Sequence, residues 1–251
     1  MKKTLRLLAA AALGLPALAH AGPADYIVFP AVAYGEREIE FRYGTEKLKD
    51  SAGGDRTSEG GFEVGYGVTQ SWFTELDVKY HKESGDRTRY DAFEWENKFQ
   101  LTEPNKYFAD VGVFAEIEIP RERRVEGYEL AFGPLFQFDT GPLRWNVNPV
   151  LEKVIRSREE GPHPLELGYQ LQAAYRFPSV RMDVGVQAFG DLGKWNDWEP
   201  HGEQLHRIGP AVIGRIKLEG RQMLKYNAAF LFGETSATPR HTFRMQVEYE
   251  F

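Results

Sequence analysis

Acidic residues recur two apart along this chain: Glu38 and Glu40, Glu75 and Asp77, Glu94 and Glu96, Glu116 and Glu118. Glu63, Asp110 and Glu129 fall in similar surroundings, each flanked by apolar or aromatic residues. Carboxylates at that spacing, brought onto one surface, would line a polar path and set its ion preference. Histidine is the other reactive type. His81, His163, His201, His206 and His241 could hold Zn²⁺ or Cu²⁺ through imidazole, although no H-x-H or H-E-x-x-H spacing occurs. A hydrolase would need a histidine with a hydroxyl and an orienting group. His241 with Thr45 or Ser236, and His81 with Ser84, are the available sets, and none forms a motif. The glycine-rich "GGFEVGYGV" fails as a phosphate loop: no Lys-Ser/Thr follows it and no helix begins there. Its glycines suit curvature or relief of crowding in a sheet. The chain has no cysteine, which excludes disulfides and thiolate metal sites. The sequence calls for no cofactor and no dedicated metal site.

Spacing of two places residues on one face of a β-strand, so the acids imply strands rather than helices. Twelve alternating segments can be drawn, over 36–46, 62–68, 72–80, 93–101, 107–117, 128–138, 143–151, 165–177, 180–188, 208–218, 224–232 and 243–251. The connections alternate in length. Short turns fall at 69–71, 103–105, 139–141, 178–179 and 219–221. Longer polar loops fall at 47–57, 82–88, 119–124, 157–163, 191–204 and 234–240.

Residues 1–21 have a basic start, an apolar run and a small-x-small end at Ala19-His20-Ala21, the pattern of a cleaved signal peptide. Net charge is −6, and −9 once that segment, with three bases and no acids, is removed. Such an acidic chain is a poor partner for nucleic acid. No later stretch carries the ~20 apolar residues of a membrane helix. Mean hydropathy is negative while aromatics reach 14%. Together these point to an all-β fold: a transmembrane antiparallel up-and-down β-barrel of about 12 strands over residues 35–251. In lipid a sheet must close to pair every backbone amide. The competing reading, a soluble secreted β-sandwich, does not require the alternation of loop lengths or so charged a second face. Residues 22–34 do not fit the first strand and form either a periplasmic lead-in or a lumen segment.

Trp72, Tyr107, Trp145, Phe177 and Phe251 fall near the short turns; Tyr43, Tyr80 and Tyr128 fall near the long loops. Both groups suit interfacial girdles. Asn97 on the apolar face is a blemish. Pro134, Pro149 and Pro210 inside strands predict bulges.

The chain ends "HTFRMQVEYEF", with Phe243, Met245, Val247, Tyr249 and Phe251 on one face. This segment resembles the β-signal of bacterial outer-membrane β-barrel proteins. The resemblance implies recognition by the outer-membrane assembly machinery, residence in the bacterial outer membrane, and contact with its lipids and lipopolysaccharide. The tail is also similar to those of uncharacterised proteobacterial outer-membrane proteins, a likeness that implies a location and no activity.

Sorted by parity, the inward residues make two walls. The acidic wall comprises Glu38, Glu40, Glu63, Glu75, Asp77, Glu94, Glu96, Asp110, Glu116, Glu118 and Glu129, against Arg42, Lys79 and Lys98. The facing wall carries Arg144, Arg176, Arg181, Arg215, Lys217, Lys225 and Arg244, against Glu152, Glu166, Asp183, Glu248 and Glu250. Two readings follow. The walls flank a narrow aqueous path for small polar or charged solutes, or the long side chains interlock and plug the lumen. Charges in a confined space need partners either way. Twelve-stranded barrels include nucleoside channels, acidic-sugar channels and an outer-membrane phospholipase. An acidic-sugar channel is expected to have a basic lumen, and this one is net acidic. The expected protein is a monomeric passive channel and not an enzyme; a structural or surface-binding barrel is the alternative.

Overall fold

A computed structural model of the chain describes residues 22–49, 54–177 and 180–251. The signal-peptide reading of residues 1–21 and the short turn at 178–179 lie outside the described residues.

Alternating segments become antiparallel strands because each can put its apolar set on one side and its polar set on the other. There are twelve: β1 (Arg37–Lys47), β2 (Arg56–Gly67), β3 (Trp72–Glu83), β4 (Arg89–Gln100), β5 (Asp110–Pro120), β6 (Tyr128–Thr140), β7 (Leu143–Ile155), β8 (Glu166–Tyr175), β9 (Met182–Lys194), β10 (Leu205–Lys217), β11 (Met223–Gly233) and β12 (His241–Glu250). Each pairs with its sequence neighbours, and β12 returns to β1 to close the barrel. The closing seam is regular from Glu38 opposite Glu250 to Lys47 opposite His241. The Phe251 amide extends it by donating to the Arg37 carbonyl at 2.9 Å.

The two faces separate by chemistry. Outward side chains such as Ile39, Phe62, Val64, Leu76, Trp95 and Val186 are exposed, whereas Glu40, Glu63, Glu96, Asn146 and Gln187 are buried. That inversion of the soluble-protein rule is the pattern of a barrel built for an apolar solvent. Aromatic rings stack near the short turns, Trp72 on Phe99 and Phe138 on Trp145. Asn97 on the outward face is satisfied: its Oδ1 accepts from the Trp72 indole N–H at 3.0 Å.

Two details differ from the sequence reading. The prolines cause no bulge: register is the same on both sides of Pro134 in β6, Pro149 in β7 and Pro210 in β10. Register instead shifts at Val78/Tyr80 and at Glu166/Gly168. A proline removes one donor but keeps an extended φ, so a neighbour can continue the ladder past it. The β4–β5 connection runs from 101 to 109, longer than a tight turn, because Tyr107 and Phe108 precede β5 rather than belonging to it. Asn105 stands at φ 57°, and its amide donates to the Asp110 carboxylate at 2.7 Å.

Candidate functional site

The lumen is threaded by residues 22–34. The segment passes from Ala33, beside Gly67 at the short-turn rim, to Gly22, beside Glu59 and Arg207 toward the long-loop end. Its extended backbone points successive side chains to opposite walls. Ile27 packs with Phe189, Ala211, Ala229 and Leu231; Val28 packs with Phe114, Leu135 and Val150. Burying both aliphatic side chains contributes roughly 1.5–3 kcal/mol each. Polar wall groups satisfy the backbone: Asn148 donates to the Val28 carbonyl at 2.8 Å, and Gln170 and Gln100 accept from the amides of Val28 and Val32. Glycines make room for the passage. A Cβ on Gly44 would strike the Pro23 carbonyl, and one on Gly112 would lie 3.1 Å from Pro30.

Tyr26 connects this segment to the acidic wall. Its hydroxyl donates to Glu96 at 3.0 Å, and the Arg42 guanidinium lies 4.0 Å from its ring centroid, a cation–π contact. Arg42 is the hub of the wall. It reaches Asp77 at 2.5 Å, Glu63 at 2.7 Å, Glu40 at 3.4 Å and Glu94 at 3.8 Å, all buried. Lys79 bridges Glu94 and Glu118 at 2.7 and 2.8 Å, and Lys98 reaches Glu75 at 3.4 Å. The register brings these groups together: Glu40 stands opposite Glu63, Glu63 opposite Asp77, and Asp77 opposite Glu94. Glu38, Glu116 and Glu129 share the face without a cation in contact among the described residues. Asp110 stands apart from the cluster, bound to the 101–109 connection.

The second wall is different from a charge count. Arg144, Arg176, Arg181, Arg215, Lys217 and Lys225 sit at the strand ends by the short turns. Arg144 and Arg176 both pair with Asp139, and Lys225 holds Glu248 and Glu250. Of the seven bases only Arg244 is fully buried in the lumen, donating to Gln187 at 2.6 Å. The wall itself is a chain of amides: Gln187 donates to Gln172 and Asn227, Gln172 to Asn146, and Asn146 to Gln137. A tally of charges does not reveal these residues. Their signal is a neutral amide at inward parity on four neighbouring strands, β6–β9, and on β11 beyond β10. Arg207 was also missed, since it lies one residue before the segment read from 208. It is buried and reaches Glu46 and the Gly22 carbonyl at 3.2 Å each.

Above Tyr26 lies a cavity of about 360 Å³. Glu94, Glu96, Glu116, Glu118, Glu129 and Glu152 line its walls, Asp25 and Tyr26 its floor, and Glu126, Glu159 and His163 its long-loop mouth. Glu126 is held above the usual carboxylate range, first by burial and then by neighbouring Glu122.

The remaining histidines do not converge. His81 approaches Glu59 at 3.6 Å; His201 stacks on His206, which bonds Tyr169 at 2.8 Å; His241 stacks on Phe230. The hydroxyls considered for nucleophilic work have other partners. Thr45 donates to the Thr57 carbonyl and Ser236 to the Gly202 carbonyl.

No family model matches the chain, and no curated protein matches it. Among solved structures it is similar to an outer membrane channel from Pseudomonas putida F1, at 12% identity and TM-score 0.59, covering 92% of this chain and 99% of that one. It is also similar to the outer membrane protein Omp33 from Acinetobacter baumannii, at 8% identity and TM-score 0.43 over 86% and 98% of the two chains. The outer membrane protease OmpT from Escherichia coli matches at 9% identity and TM-score 0.27, over 91% and 98%. The first shows the fold alone: the chain is a closed twelve-stranded antiparallel barrel of the kind that outer membrane channels adopt.

Proposed function

We propose that this protein is an outer-membrane channel, a narrow passive conductor of small polar or charged solutes. An apolar exposed exterior supports placement in the membrane, with outer-membrane lipids and lipopolysaccharide as its surroundings. Phe243, Met245, Val247, Tyr249 and Phe251, on the outward face of the closing strand, would be read by the assembly machinery. The observation that carries the channel reading is the acid-lined cavity of about 360 Å³, whose floor is a strand-free segment rather than the barrel wall. A floor held only by side-chain packing and hydrogen bonds can shift without unfolding the barrel.

The test is planar-bilayer recording on the purified, folded protein. Discrete conductance steps are expected, and a silent membrane would sink the reading. Ile27→Asp with Val28→Asp places two carboxylates in the apolar collars. It should raise mean conductance, because desolvating an unpaired carboxylate opposes docking. The second reading is a non-conducting barrel with a structural or surface-binding role. The near-complete burial of Ile27 and Val28, at 1% and 3% exposure, favours it. It predicts silence from the parent protein and conduction only from the double variant.

A further inference from the structure

Most acids of the lumen are ordered by register into two diagonal rows, the first continuous and the second interrupted at Gly65 and Ala131. In the first, Glu248 stands opposite Glu40, Glu40 opposite Glu63, Glu63 opposite Asp77, and Asp77 opposite Glu94. Glu94 then faces Glu118, and Glu118 faces Glu129. The second row starts from Glu250 opposite Glu38 and crosses Gly65 to Glu75. Glu75 faces Glu96, and Glu96 faces Glu116. Across Ala131 the row reaches Glu152, which faces Glu166. Rows of facing residues run across the strands, and barrel strands are tilted, so each row climbs along the barrel axis. Glu250 is the last residue of β12, at the short-turn rim. Glu152 lies three residues from the long-loop end of β7. The rows therefore ascend the membrane as staircases of carboxylates.

Their charge balance differs. Arg42 and Lys79 between them contact five of the first row's seven acids, Glu40, Glu63, Asp77, Glu94 and Glu118, and Lys225 holds a sixth, Glu248. The second has Lys98 at Glu75 and Lys225 at Glu250, with no ion pair among the described residues at Glu38, Glu96, Glu116 or Glu152. Two further observations point to a ligand. Glu96 is 3% exposed, lines the cavity, and keeps its Oε1 without a hydrogen-bond partner. Glu38, Glu63 and Glu75 present carboxylate oxygens all within 4.8 Å of one another. Clustered buried carboxylates hold together only with protons or a cation between them. An all-oxygen donor set with no sulfur or imidazole suits hard cations.

We propose that the second staircase is a path of binding steps for small hard cations, in which Glu38 and Glu75 are joined by Glu63 of the first row at a three-carboxylate site with Ca²⁺ or Mg²⁺ as its tightest occupants. This inference rests on the channel reading and specifies its cargo. The floor segment meets the path at Tyr26, which binds Glu96.

The experiment uses the full folded barrel in planar bilayers under a KCl gradient, with CaCl₂ then added. The parent protein should be cation-selective and blocked by Ca²⁺. Glu96→Gln with Glu116→Gln keeps side-chain shape and removes two charges. It should lower the K⁺ over Cl⁻ preference several-fold and raise the Ca²⁺ needed for half-block roughly tenfold, equivalent to about 1.4 kcal/mol. Arg215→Gln, at the exposed rim, should change neither. Glu116→Gln alone, at a residue with no ion pair, covers the case in which the double variant does not fold, and should give a smaller shift in the same direction. Calorimetric Ca²⁺ titration of the folded barrel should find a site that these changes weaken. A conducting barrel whose selectivity and Ca²⁺ block ignore these variants overturns the staircase and leaves the channel. A silent parent protein overturns both.

Discussion

The two halves of the lumen solve the same problem with different chemistry. On β1–β5 buried carboxylates outnumber the cations that hold them, and one guanidinium, Arg42, touches four acids. On β6–β9 and β11 the equivalent height is filled by neutral amides in a hydrogen-bonded chain from Asn227 to Gln137. A neutral amide costs less to bury than a charge and brings both donor and acceptor, so it can close a wall without leaving net charge. The acidic half retains net charge and buried carboxylate oxygens without hydrogen-bond partners at Glu40, Asp77 and Glu96. One side reads as scaffold and the other as the surface that meets ions. Residues 22–34 lie between them, anchored to the amide side by Asn148 and Gln170 and to the acidic side by Tyr26.

Arg42→Ala should break the comparison most strongly. It leaves Glu40, Glu63, Asp77 and Glu94 without their shared cation, and removing one partner of a buried ion cluster costs about 3–5 kcal/mol. Urea unfolding of the barrel in lipid vesicles, followed by heat-modifiable migration on gels, would register the loss. Little change in midpoint would mean that water reaches the cluster freely. Gln187→Leu comes next. It takes away a donor to Gln172 and Asn227 and an acceptor for Arg244, each left buried, at about 1–3 kcal/mol. The same unfolding assay should place it clearly below Arg42→Ala. An equal or larger effect would reverse the ranking of the halves. Arg144→Ala is the smallest. Its pair with Asp139 is partly exposed at the short-turn rim, so screening holds the cost to about 0–1 kcal/mol. Its effect should fade further in high salt.

Much of this was legible from residue order. Alternation assigned the inward and outward sides of strands as different as β1 and β9, because a one-residue slip would put Glu38 and Glu40 into lipid. The seam between β1 and β12 is also the one that the final strand implied, since a barrel in lipid leaves no edge. The site was less legible. Six bases counted into one wall belong to its rim, where strand ends meet water; their nearness to the short turns is readable from their place in each segment, but the neutral wall behind them is not. Gln172 and Asn146 carry no charge and no motif, so their connection appears only when β7 and β8 lie side by side.

The sequence by itself determined which residues face in and which face out, and hence a closed barrel with a polar interior. Period-two patterning is local, and the cost of putting a charge in lipid enforces it strand by strand. Only the tertiary structure decided what the interior contains. The path of residues 22–34, the meeting of four acids at Arg42 and the diagonal order of the carboxylates depend on strand tilt and register. Those are properties of all twelve strands closing together, and no single segment encodes them.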